Sequence, residues 1–306
     1  MPAYRSIVAG VHDSATGARA VEMAGLLAAE TDAMLVLVAA YRGELTAATG
    51  ADDTYQAPVA AVAERTLKHA AARCTEMGAG YVHTYAIAGD PVTVLAGAVH
   101  DHQGDLLLVG SHGLSSLTGR LLGSVPSGVA RTAGCDVLVV HTTTDRWRKL
   151  VSSRYRHSPS GHRRCVVVGV HDSERSMRAV DKAAAIAADA CAELVLVGAY
   201  EDADRKVLAH ATDALKGEGW MAGGAFGIET VLRDSEARAR ALGAGPIATV
   251  VSHGDAVSGL LEAADAHRAD LLVLGNHQLT GAVGRLVGSP SAQVSRNTPT
   301  HVLLVN

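Results

Sequence analysis

The chain repeats itself, and the repeat restricts its architecture more than any other feature. Gly10-Val11-His12-Asp13-Ser14 returns as Gly169-Val170-His171-Asp172-Ser173, and the run 35–41 returns as 194–200, both 159 residues later. Gly89-Asp90 returns as Gly254-Asp255 and the run 105–110 as 270–275, both at an offset of 165. Distinctive runs recurring in one order describe a single folding unit built twice. The step from 159 to 165 places six extra residues between Tyr200 and Gly254, and the glycine-rich stretch 201–227 is their expected place. A length of 306 residues also suits two domains. The expected boundaries are 1–143 and 164–306. Between them, 144–163 reads as an exposed basic linker carrying Arg146, Arg148, Lys149, Arg154 and Arg156.

Within each copy short apolar runs alternate with longer Ala-rich stretches. In the first copy the runs near Ser6–Val11, Met34–Tyr41, Tyr81–Ala86, Leu106–Val109 and Asp136–Val140 read as strands. The stretches Ala15–Glu30, Val59–Met77, Pro91–Asp101 and Ser124–Thr132 read as helices. Asp90 before Pro91 is an N-cap followed by proline at the first helical position. Strand–helix alternation with continuously apolar strands predicts an α/β class with a doubly wound parallel sheet. Aromatic residues are only 3% of the chain, so the core has to be aliphatic. The last strands, Val137–Val140 and Val302–Val305, would be sticky if bare, and a pseudo-dimer of the two copies through them is expected.

A net charge of −4 gives no general attraction to nucleic acid. Apolar runs such as 33–41 are too short to span a bilayer, and the N-terminus lacks a basic-then-apolar leader, so no membrane partner and a cytoplasmic location are expected. Cys74, Cys135, Cys165 and Cys191 form no C-x-x-C pair and read as reduced thiols, with Cys135 and Cys191 expected in the core beside strands.

The loops after the fourth strand of each copy carry the strongest chemical signal. Gly110-Ser111-His112-Gly113 is followed after nine residues by Gly123-Ser124, and Gly275-Asn276-His277-Gln278 likewise by Gly288-Ser289. Such a loop offers close backbone approach, a hydroxyl and unpaired N–H groups at a helix N-terminus, which together suit a phosphate. In open α/β sheets ligands sit beyond the carboxyl ends of the strands where the topology reverses. A nucleotide is therefore expected with its phosphates on Gly123, Ser124 and Val125. Its base is expected near Gly10, Val11, His12 and Ala40. The second copy offers Gly169, Val170, His171, Ala199, Gly275, Gly288 and Ser289. Arg120 and Arg285 are candidate phosphate partners. No G-x-x-x-x-G-K-[ST] loop occurs, and no G-x-G-x-x-G follows the first strand.

These residues resemble the universal stress protein family. Gly110, Gly113, Gly123 and Ser124 match its G-x2-G-x9-G-[ST] nucleotide motif at every position, and the resemblance covers nearly the whole chain outside the linker. The resemblance implies two tandem five-stranded sheets of the adenine nucleotide alpha hydrolase-like type, dimer-like packing through the last strands, and ATP as ligand; Mg²⁺ is expected to accompany it. It implies a stress-response regulator acting on an as yet unknown protein partner through nucleotide-dependent conformation. His12 and His171 stand where the family's ATP-binding members carry Asp, and Gln278 replaces the motif's second glycine. These departures support a second reading, an interaction protein with empty glycine loops. Whether two chains associate into a further homodimer is left open.

No enzymatic constellation emerges: there is no G-x-S-x-G elbow and no H-E-x-x-H. Slow ATP hydrolysis is the most the loops suggest, and no base or water-positioning residue is identifiable. The densest histidine cluster, His100 and His102 with Asp101 and Asp105, lacks zinc-site spacing and reads as a solvent-facing helix end.

Overall fold

The computed structural model describes residues 4–42, 59–111, 124–141, 164–200, 224–276 and 290–306. They divide into two compact units, one holding the described residues up to 141 and the other those from 164. The first unit runs β1 (Ser6–Gly10), α1 (Ala15–Thr31), β2 (Met34–Tyr41), α2 (Val59–Glu76), β3 (Tyr81–Ala88), α3 (Pro91–Asp101), β4 (Leu106–Gly110), α4 (Ser124–Thr132) and β5 (Asp136–Val140). Its strands are all parallel, in the order β3-β2-β1-β4-β5.

The second unit runs β6 (Cys165–Val170), α5 (Glu174–Ala190), β7 (Glu193–Tyr200), α6 (Gly224–Ala241), β8 (Ile247–His253), α7 (Ala256–Ala266), β9 (Leu271–Gly275), α8 (Pro290–Asn297) and β10 (His301–Val305). Its parallel order is β8-β7-β6-β9-β10, the same arrangement. Helix α6 begins at Gly224, so the glycine-rich stretch expected to be loop as far as 227 gives way to helix four residues sooner. In both units the chain steps outward over three strands, then crosses back to the fourth, so the topology reverses between β1 and β4 and between β6 and β9.

Continuous apolar runs become strands covered on both sides, as a parallel sheet requires. Ile7, Leu35, Leu37, Leu107, Leu194 and Leu196 are completely buried. Helices α1 and α2 share one face of the first sheet, where the Cys74 thiol donates to Val21 O across 3.6 Å. Helices α3 and α4 pack together on the other face. The helix starts follow the caps written in the sequence. Asp90 accepts from Val92 and Thr93 N–H at 3.1 and 3.2 Å, with Pro91 behind it. Ser14 accepts from Gly17 N–H and Ser173 from Ser176 N–H.

Asp105 ties the starts of β1 and β4 together, its carboxylate accepting from Arg5 and Ser6 N–H at 2.8 and 3.2 Å. Asp270 repeats the tie, accepting from Cys165 N–H at 2.9 Å. Two expectations need correction here. Of the histidine pair expected to face solvent, His100 is exposed, but His102 is half-buried, its ring 4.7 Å from that of Tyr85 on β3. Among the described residues no group of side chains could hold a metal ion.

The other correction concerns Cys191. It is exposed, the left-handed C-cap of α5 at φ 49°, because a helix terminus turns its capping residue outward. Cys74, Cys135 and Cys165 are buried, and burial pushes each thiol up to about 12. At pH 8 one thiol per folded chain should react with iodoacetamide, and all four in denaturant; mass spectrometry counts them. Below pH 9 both states keep these thiols protonated. Above it the unfolded chain ionises while the folded one does not until about 12, so stability falls through that window by ~1.4 kcal/mol per thiol per pH unit.

Candidate functional site

At the reversal point of the second sheet, the carboxyl ends of β6, β7 and β9 open into a cleft of about 270 Å³. That volume is near the lower end of the roughly 300–1,000 Å³ of small-ligand pockets. Five residues named from the sequence line it together: Gly169, Val170, His171, Ala199 and Gly275. The sheet explains the grouping. Register brings Gly169 beside Val197 and Val170 beside Gly198, while β9 lies against the other side of β6.

The walls are mostly apolar. Val197 and Ala199 project from β7 toward α7, which contributes Ala256 and Leu260, and Leu274 closes the floor. Polar groups enter at one end. His171 is exposed, its backbone N–H donates to Ser176 Oγ at 2.8 Å, and Ser176 Oγ donates in turn to Gly169 O at 3.3 Å. Arg175 Nη1 donates to Asn276 O at 2.7 Å and so anchors the chain where it leaves β9. A mostly apolar cleft with a histidine in its lining, and a guanidinium nearby at the end of β9, suits a heteroaromatic ring attached to an anion.

Sequence reading missed Ser176, Val197, Ala256, Leu260, Leu274 and Ser291. Only the last has a local signal, two residues beyond the Gly288-Ser289 pair; the others reach the cleft through the fold. Gln278, Arg285, Gly288 and Ser289 lie outside the described residues, as do Gly113, Arg120 and Gly123. Ser124 is the exposed first residue of α4, Val125 beside it is half-buried, and Ala40 is half-buried near the end of β2.

The first glycine of each motif has a packing reason of its own. A Cβ on Gly110 would lie 2.7 Å from the backbone carbon of Thr16, and one on Gly275 3.0 Å from that of Arg175. Gly169 is likewise crowded by Leu274 and Leu260, at 2.9 and 3.3 Å, and Gly10 faces Leu95 at 3.3 Å. The end of β4 meets the N-terminus of α1 so closely that any side chain there displaces backbone.

The copies differ at the turn beneath the site. Gly17 and Thr16 stand where the second copy has Ser176 and Arg175, so the first unit lacks the Ser176 hydroxyl and the Arg175 guanidinium at these positions. In the first unit Val11 and His12 border a different and larger cleft, between α1 and α2.

The universal stress protein family model matches residues 3–141 and again 162–306. The chain belongs to the universal stress protein family, with two copies of its domain in tandem. A universal stress protein of Mycobacterium tuberculosis is 40% identical over 147 residues, which is 47% of this chain and the whole of that relative. A universal stress protein from Archaeoglobus fulgidus, 19% identical, covers 98% of this chain and 96% of its own at a TM-score of 0.62, a likeness of fold. A universal stress protein solved in complex with cAMP is 39% identical over 48% of this chain and 99% of its own, with a TM-score of 0.38. Among the described residues of this universal stress protein, no helix is long and apolar enough to cross a membrane.

Proposed function

We propose that this universal stress protein binds an adenine nucleotide at the reversal point of each sheet and acts as a cytoplasmic regulator. Its ligand is ATP with Mg²⁺, and its work is binding rather than turnover. The observation carrying this reading is the cleft at the ends of β6, β7 and β9, where Gly169, Val170, His171, Ala199 and Gly275 converge. The base occupies the apolar cleft and the phosphates extend toward the glycine loop. Bound nucleotide orders that loop and changes the surface offered to a protein partner, which requires higher affinity for the ordered state.

Calorimetric titration of ATP, and of cAMP as its rival, tests the proposal. Ala199→Phe fills the cleft and should weaken binding to the second unit by about tenfold or more, ~1.4 kcal/mol, with the melting temperature held. Gly123→Asp should do the same in the first unit by placing a carboxylate where phosphate sits. If neither nucleotide binds at millimolar concentration, the reading is lost. The second reading then stands, favoured by His12, His171 and Gln278: an interaction protein whose partners bind regardless of nucleotide and depart when Arg154 and Arg156 become Glu.

A further inference from the structure

Helices α1 and α2 of the first unit enclose a cleft of about 680 Å³ on the face of the sheet opposite α3 and α4. We propose that it is a second small-molecule site, specific for anions with a compact apolar body, such as a short acyl carboxylate or an alkyl phosphate. The volume falls within the range of ligand pockets. Its apolar lining comes from buried Val21 and Ala70 and from exposed Ala15, Ala18 and Val62.

The rim is cationic. Arg19, Arg65, Arg73, His12 and His69 face it against Asp13 and Glu22. Glu22 is engaged already, accepting from Arg19 at 2.9 Å and lying 3.8 Å from Arg73. Among the described residues Arg65 on α2 has no ion-pair partner, so its guanidinium leaves positive charge on that wall, with the His69 ring one helical turn along. An apolar lining beside such a wall favours a molecule that buries a hydrocarbon body and turns an anionic head to the guanidinium.

The second copy shows that the fold does not need this opening. Met177 and Ser235 occupy the positions of Ala18 and Ala70, and Ser235 Oγ reaches Met177 Sδ at 3.9 Å between α5 and α6. Thr230 and Asp234 replace Arg65 and His69, and Arg238 forms a two-pronged ion pair with Asp181. The second copy thus fills the space and lacks the Arg65 and His69 side chains while keeping Arg178 and Arg238 where the first copy has Arg19 and Arg73.

Isothermal titration of the full chain with octanoate, octyl phosphate and octanol tests the assignment. Both anions should bind, and neutral octanol about tenfold more weakly. Whichever anion binds more tightly names the head group. Ala18→Met, a residue the second copy accepts at the same place, should abolish octanoate binding while thermal stability holds. Arg65→Thr with His69→Asp should bring both anions down to the affinity of octanol. The titrations are run without ATP, because Val11 and His12 border this cleft and also stand at the base position proposed for the first unit's nucleotide. Binding of no probe, equal binding of octanol and octanoate, or indifference to Ala18→Met would each overturn the proposal. The variant arms hold whether or not ATP binds, so failure here is separable from failure of the nucleotide reading.

Discussion

Gly110→Val should lower the stability of the chain by ~3 kcal/mol and its melting temperature by about 6–12 °C, without any nucleotide present. The new Cβ would sit 2.7 Å from the Thr16 carbon and 2.9 Å from Gly17 N, both backbone, so no side chain can swing aside to relieve it. Either α1 shifts at its N-terminus or β4 loses its register with β1 and β5. Gly97→Ala is the contrasting case. Nothing lies within 4 Å of a Cβ there, inside helix α3, and the change should stabilise by up to ~1 kcal/mol. Thermal melts of both variants decide the matter: if Gly110→Val melts like the parent and only nucleotide affinity suffers, Gly110 serves the ligand and not the packing.

Leu196→Ala should cost ~2–5 kcal/mol while leaving the second unit's nucleotide cleft intact. Leu196 is completely buried in β7, in register with Val168 and Thr249. Side chains alternate along a strand, so Val197 and Ala199 line the cleft while Leu196 points to the opposite face. Gly198 confirms which face that is, since a Cβ there would meet Ile228 of α6 at 2.5 Å. Deleting three carbons opens a void in a core that cannot collapse around it. Denaturant melts should show the loss, and titration well below the melting temperature should show unchanged affinity. A lowered affinity there would mean that the sheet transmits the void to the site.

Much of the fold was legible because it is written in local terms. The strands Met34–Tyr41 and Asp136–Val140 and the helices Pro91–Asp101 and Ser124–Thr132 fall where the apolar runs and turn residues place them. A cap such as Asp90 needs only the next three residues to act, and so it is readable from them. Half of the second unit's cleft was legible for a related reason: positions just beyond parallel strands converge wherever such a sheet reverses.

The remainder depends on residues far apart in the chain. That Gly110 must lack a side chain follows from Thr16, 94 positions away, and no spacing rule connects them. Ser176 and Leu260 enter the cleft from two helices with no motif to mark either. His102 looks like a surface residue until Tyr85 on β3 is seen beside it. Ala18 and Met177 occupy matching places in two copies of one repeat, and only packing against the neighbouring helix shows that one leaves a cleft where the other closes it. Strand and helix order, caps and the repeat were set by the sequence alone, because period and hydrogen bonding act over a few residues. Which glycines crowd a neighbour, and which helix pair stays open, was decided by tertiary structure, because close packing depends on side chains the chain brings together only when folded.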